Sequence, residues 1–165
     1  VQMGLPAEQL RPLRPGDRIE HGNITITAVR ADHMHPQNPQ PDAVGLVLSY
    51  GDIRVYHAGD TAYTAEVRDS VTPLGPLRAA LLPISGKRCI LTAEDAAFYA
   101  GDLNADIVVP IHYGMFAENS GDPTELLHYM RRYEVKSRLI PLPFLGGLIL
   151  EPSQAQLAGL ECGCH

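Results

Sequence analysis

Apolar positions recur with two different periods along the chain. In the first third the period is two: Ile24 and Ile26 alternate with Thr25 and Thr27, which predicts a strand over 24–29. Residues 18–20 pair back on it through the turn His21-Gly22-Asn23. A second hairpin is predicted over 44–50 and 53–57, joined at Gly51-Asp52. Further on, 79–84 and 107–111 are short, nearly unbroken apolar runs, the pattern of buried strands. Helices alternate with them. Thr92 is placed to cap a helix running to about Leu103, with Asp95 at the reciprocal capping position. Asp122-Pro123-Thr124-Glu125 opens a second helix to about Tyr133, with an acid cap and a proline in the first turn. A shorter helix is expected near 64–71, and closing strands at 138–141 and 147–150. Residues 1–16 carry Pro6, Pro12 and Pro15, which limit any helix there to a turn at residues 7–10. Hairpins followed by strand–helix–strand–helix–strand make an α/β chain with helices over one face of a sheet.

Composition narrows the class. With 165 residues and 45% hydrophobic content the chain is one domain, or part of one, and can bury a core. A net charge of −6 disfavours a nucleic-acid backbone as partner. No apolar run is long enough for a membrane helix, so a membrane partner is not expected. Three cysteines do not make a disulfide framework, and a reduced, cytoplasmic setting is the default expectation. Cys89 is isolated. The terminal Cys162-Gly163-Cys164-His165 has soft ligand types, with a frayed tail as the plainer alternative. A first residue of valine leads to the expectation that the chain was processed, trimmed or taken from something longer.

Candidate chemistry sits where strands stop. Ile53 and Val55 lead into Tyr56-His57-Ala58-Gly59-Asp60-Thr61, where a carboxylate stands at a strand mouth and calls for a cation or a metal. His33 follows the strand of 24–29, in a proline-rich stretch over 32–42 without apolar period that also holds His35. His112 follows the strand of 107–111. If these strands lie roughly alongside one another, His33, Asp60 and His112 gather at one sheet edge as imidazole and carboxylate ligands suited to zinc, manganese or iron. Each has a plainer alternative: a structural histidine, or for Asp60 a turn or helix cap. His57 fits a core imidazole bonded to backbone as well as a site residue. His21 and His128 read as a turn residue and a helix-face residue.

The run Tyr56–Thr61 resembles the strand-end aspartate motif of the metallo-β-lactamase superfamily. Ala31-Asp32-His33 resembles its preceding histidine motif, and Val109-Pro110-Ile111-His112-Tyr113 its final one. More narrowly, Leu82-Pro83-Ile84-Ser85-Gly86-Lys87-Arg88, and His112-Tyr113-Gly114-Met115-Phe116 with Asn119 and Gly121-Asp122-Pro123, are similar to the branch containing L-ascorbate-6-phosphate lactonase. The resemblance spans about residues 5–152. It implies a four-layer αββα sandwich, of which this chain resembles the C-terminal half over 1–152, followed by a tail over 153–165. The family's earlier His-x-His-x-Asp-His motif has no counterpart here, since His33-Met34-His35 lacks a following Asp-His.

What the resemblance implies is a metal-dependent hydrolase with two divalent metal ions, zinc or manganese and conceivably iron. His33 would complete one ion, Asp60 would bridge both and serve catalysis, and His112 would join the second. A hydroxide shared by the metals would attack a lactone or a phosphorylated small-molecule ester. Lys87 and Arg88 are plausible anchors for a substrate phosphate, or a solvated basic pair. Tyr113 and Asn119 would line the pocket, or Tyr113 would simply pack in the core. A missing N-terminal half, from the same gene product or a separate chain, would be the partner beside the small-molecule substrate. The isolated chain is then expected to be inactive and, with sheet edges exposed, to associate as an oligomer. Two alternatives stay open: a phosphodiesterase of the same superfamily, such as the phospholipase D-like branch, and a non-catalytic half-domain that needs a partner carrying the missing motif.

Overall fold

A computed structural model describes residues 4, 6–33, 43–86, 90–114 and 121–152. His35, Lys87, Arg88, Cys89, Asn119 and the cysteine-bearing tail lie outside these. Seven strands form one mixed sheet in chain order: β1 (Arg18–His21), β2 (Ile24–Arg30), β3 (Val44–Tyr50), β4 (Ile53–His57), β5 (Ala79–Pro83), β6 (Ile107–Ile111) and β7 (Arg138–Leu139). β1 to β4 pair antiparallel, with two-residue turns joining β1 to β2 and β3 to β4; β4 to β7 pair parallel. The change of direction at β4–β5 is where helical crossovers become necessary.

Those crossovers are α1 (Ala65–Val71), α2 (Ala93–Leu103) and α3 (Pro123–Arg132). Their ends follow the sequence signals. Thr64 caps α1, accepting from the Val67 amide. Thr92 and Asp95 form a complete capping box on α2. Asp122 caps α3, its side chain accepting from the Thr124 amide, with Pro123 in the first turn.

All three helices lie on one sheet face. Val29, Val47, Tyr56, Ala80, Leu82 and Val108 from the strands pack with Val67 and Val71 of α1, Tyr99 and Leu103 of α2, and Leu126 and Met130 of α3. Val47, Tyr56, Ala80 and Val108 share one rung, with Val29 and Leu82 two positions further on the same face, so alternate positions build the main core. The opposite face is apolar too, as expected for strands buried on both sides. There Ala79, Ile107 and Val109 are covered by Ile140, Leu142, Leu148 and Leu150 of the closing segment. Further toward β2 and β3 the same face carries Ile24, Leu48 and Tyr50, all exposed.

Two sequence expectations are corrected. Residues 147–150 form no strand, and β7 is only Arg138–Leu139. Leu148 and Leu150 are apolar because they cover the Ala79–Val109 patch, which requires no backbone ladder. His21 is the last residue of β1, opposite Ile24, rather than part of the turn.

Candidate functional site

β2, β4 and β6 point the same way, so their C-terminal ends open on one edge of the sheet. Ala28, Leu46, His57, Leu81 and Val109 occupy a single rung across five strands. Asp60 and His112 each lie three residues beyond that rung, and His33 lies five beyond it. Equal overhang brings the first two together: Asp60 Oδ1 is 3.4 Å from His112 Nε2, with the side chains 39% and 27% exposed.

The backbone turns sharply at both residues' positions. Gly59 takes φ +64°, and a Cβ there would stand 3.2 Å from the Val44 carbonyl oxygen. Its amide donates to His57 Nδ1 at 3.0 Å, so His57 fixes the turn from an exposed position rather than from the core. His112 itself sits at φ +60°, in the left-handed region that a non-glycine residue enters at a cost of about 1–2 kcal/mol. A strained residue at a strand end is a common mark of a functional position.

Asp32 holds the rim, and sequence reasoning missed it. It is 5% exposed. One carboxylate oxygen accepts from Arg30 Nε at 2.8 Å and the other from the Thr64 hydroxyl at 2.6 Å. Its amide donates to Thr61 Oγ1 at 2.9 Å, and its carbonyl accepts from the Ala62 amide at 2.9 Å. The fully buried Thr61 in turn accepts, at its carbonyl, from the Leu91 amide. Three bonds thus tie the exit of β2 to residues 61, 62 and 64, just after Asp60. The available signal was a carboxylate directly before a candidate histidine, with a hydroxyl at position 64 to donate to it and one at position 61 to accept from its amide.

The structure therefore joins Asp60 with His112 and places His33 on the same edge. Among the described residues no group of three or more His, Cys, Asp or Glu side chains is close enough to hold a metal ion. Tyr113 is half-buried and packs against the helix-side core. Lys87, Arg88 and Asn119 lie outside the described residues.

A family model described as the beta-lactamase superfamily domain matches residues 1–113 of this chain. The chain belongs to the metallo-β-lactamase superfamily. A "UPF0173 metal-dependent hydrolase" of Rubrobacter xylanophilus is 33% identical over a 132-residue alignment, covering 75% of this chain and 54% of that protein. One from Hyperthermus butylicus is 30% identical, over 76% of this chain and 52% of the other. The chain spans about half the length of these curated relatives. Among solved structures, Igni18, a metallo hydrolase from the archaeon Ignicoccus hospitalis, superposes with a TM-score of 0.70 at 24% identity, covering 86% of this chain and 60% of that one. An isothiocyanate hydrolase from Delia radicum gut bacteria gives 0.67 at 18% identity, covering 86% and 59%. At these identities the likeness is one of fold. It accords with the mixed α/β sheet found here.

The superfamily's metal can be weighed against the residues present. A carboxylate and an imidazole are the right donors for a divalent transition metal. Two donors each about 2.1 Å from a tetrahedral ion stand about 3.4 Å apart, the separation seen between Asp60 and His112. The pair fits such an ion in kind and spacing. In number it is short, since no third such donor stands close enough among the described residues. Among the described residues no helix is long and apolar enough to cross a membrane.

Proposed function

We propose that this chain forms part of a metal-dependent hydrolase, with Asp60, His112 and His33 as its contribution to a site for two divalent ions, zinc, manganese or iron. The observation that carries the proposal is the meeting of Asp60 and His112 at 3.4 Å from strands separated by β5. The names of the UPF0173 relatives support metal dependence. An ion held there supplies Lewis acidity and lowers the pKa of bound water toward neutrality. The chain's own groups fix where that happens. Asp60 offers two carboxylate oxygens and so can face two ions; His112 is held on the same edge by its left-handed backbone; the Asp32–Thr61–Thr64 network keeps the His33 segment against the Asp60 turn. The substrate class proposed is a lactone or a phosphorylated small-molecule ester, on the motif resemblance to the lactonase branch.

The remaining ligands are proposed to come from a further polypeptide segment bearing His-x-His-x-Asp-His, in the same gene product or a separate chain. Two observations support this: the described residues fall short of a full ligand set, and an apolar sheet face is left open at Ile24, Leu48 and Tyr50, the last 46% exposed. A large uncovered apolar face on a β-sheet marks an interaction surface. The same shortfall favours, as the second reading, a non-catalytic half-domain.

The test is hydrolysis by the complete assembly, screened over lactones, phosphorylated small-molecule esters and phosphodiesters, with and without chelator. Chelator-sensitive turnover of a lactone or monoester, lost in Asp60→Ala, is expected. Turnover confined to phosphodiesters would replace the substrate class, and no turnover of any of them would leave the half-domain reading.

A further inference from the structure

A second polar site lies at the far end of the same strands. The helix side of the sheet is a buried apolar surface where Val47 and Tyr56 stand, but one rung further down it changes character. Thr25, Ser49 and Arg54 are directly opposite one another across β2, β3 and β4. Arg18 and Thr27 pair on the next rung, and the 3-10 turn over Thr72–Leu74 forms a wall. Together they line a cavity of about 380 Å³. Core packing does not require three hydroxyls and two guanidiniums on the face that elsewhere holds valine and tyrosine.

The charges there are unequal. Arg18 contacts Glu20 at 3.2 Å and Thr25 Oγ1 at 3.4 Å, an exposed and easily exchanged pair. Arg54 is half-buried, and the residues lining the cavity include no carboxylate. Glu20 lies three strands away on its rung, roughly 14 Å at the usual strand spacing, too far to neutralise it. The cavity therefore carries a net positive guanidinium above a row of hydroxyl donors. Guanidinium forks and hydroxyls match the several acceptor oxygens of a tetrahedral anion.

We propose that this cavity binds a phosphate-sized oxyanion, either free phosphate or the phosphoryl group of an ester, with Arg54 as the principal anchor, Arg18 as the second, and Thr25, Thr27 and Ser49 as hydroxyl donors. The site is independent of the Asp60–His112 edge, which lies beyond the opposite end of β4.

The test is calorimetric titration of the full chain with inorganic phosphate, in chelator and at ionic strength fixed with chloride, beside glycerol phosphate as the ester arm. Saturable binding with a Kd of about millimolar or tighter is expected. Arg54→Gln should weaken it about tenfold or more, and Asp60→Asn should leave it unchanged. Where Arg54→Gln fails to fold by circular dichroism, Ser49→Ala serves instead, with a several-fold loss expected. Tighter binding of glycerol phosphate than of phosphate identifies an ester as the ligand; equal binding identifies free phosphate. No saturable binding, binding reproduced by chloride, or affinity unchanged in both variants would overturn the proposal.

Discussion

Asp60 and His112 face each other at 3.4 Å although β5 separates the strands that carry them. The sheet register makes this possible, since both residues overhang the same rung by three positions. His112 completes the approach from a left-handed backbone that only glycine adopts freely. His112→Gly is accordingly expected to remove backbone strain worth about 1–2 kcal/mol, offset by lost side-chain contacts and a looser unfolded chain. Its melting temperature should stay close to that of the parent while metal retention falls sharply. Differential scanning calorimetry beside elemental analysis checks both. A variant that loses stability heavily and keeps its metal would assign His112 a structural role.

Asp32 should behave as a structural clamp. Asp32→Ala removes the acceptors of the Arg30 and Thr64 bonds and leaves partly buried partners unsatisfied. A loss of about 2–3 kcal/mol is expected, or roughly 5–10 °C in melting temperature. Asp32→Asn, which keeps an acceptor oxygen, should lose less. Equal losses would mean that the ion pair alone matters.

Gly59 shapes the turn that presents Asp60. Gly59→Ala forces a side chain into φ +64° and against the Val44 carbonyl, at about 1–2 kcal/mol. Gly22 is the control: it has φ +57° with open space around a Cβ, in the turn between β1 and β2. Both alanine variants should lose comparable stability by urea denaturation. Only Gly59→Ala should also lose metal.

The helix-side core carries a pH signature. Tyr99 donates its hydroxyl hydrogen to the Tyr56 oxygen at 3.1 Å, and both rings are buried. Burial pushes Tyr56 up to about 12, with the Tyr99 bond opposing it; burial first, then the neighbouring Tyr56, raise Tyr99 well above the ordinary value. Raised folded values mean that this stability is complete below pH 10, where tyrosines of the unfolded chain are still neutral. It is lost as pH rises from 10 through the folded value, up to about 12 for Tyr56. The slope should be about 1.4 kcal/mol per pH unit for each tyrosine. Urea denaturation between pH 8.5 and 11.5 should show this fall, and Tyr56→Phe should flatten it by about one tyrosine's share.

Much of this architecture was legible beforehand, for definite reasons. The apolar runs at β5 and β6, the Thr92–Asp95 box and the Asp122-Pro123 helix start are local signals, set by burial and capping within a few residues. That His33, Asp60 and His112 each follow a strand end was also visible, but which of them meet was not. That depends on strand order and equal overhang, which one stretch of sequence does not encode. Residues 147–150 looked like a strand because apolar alternation reports burial, and Leu148 and Leu150 are packed without pairing. Asp32 passed as a loop acid because its partners at positions 61 and 64 lie far along the chain. Arg54 was hidden differently: alternation places it on the face of Tyr56, where a charge was not expected.

The central claim is that Asp60 and His112 are metal ligands. Elemental analysis of the chain, purified under native conditions with any polypeptide that accompanies it, tests this most directly. About two divalent ions per complete assembly are expected, falling by at least half in Asp60→Ala and in His112→Ala while the fold persists by circular dichroism. Metal content unchanged in both variants, or no metal in the complete assembly under any loading condition, would contradict it.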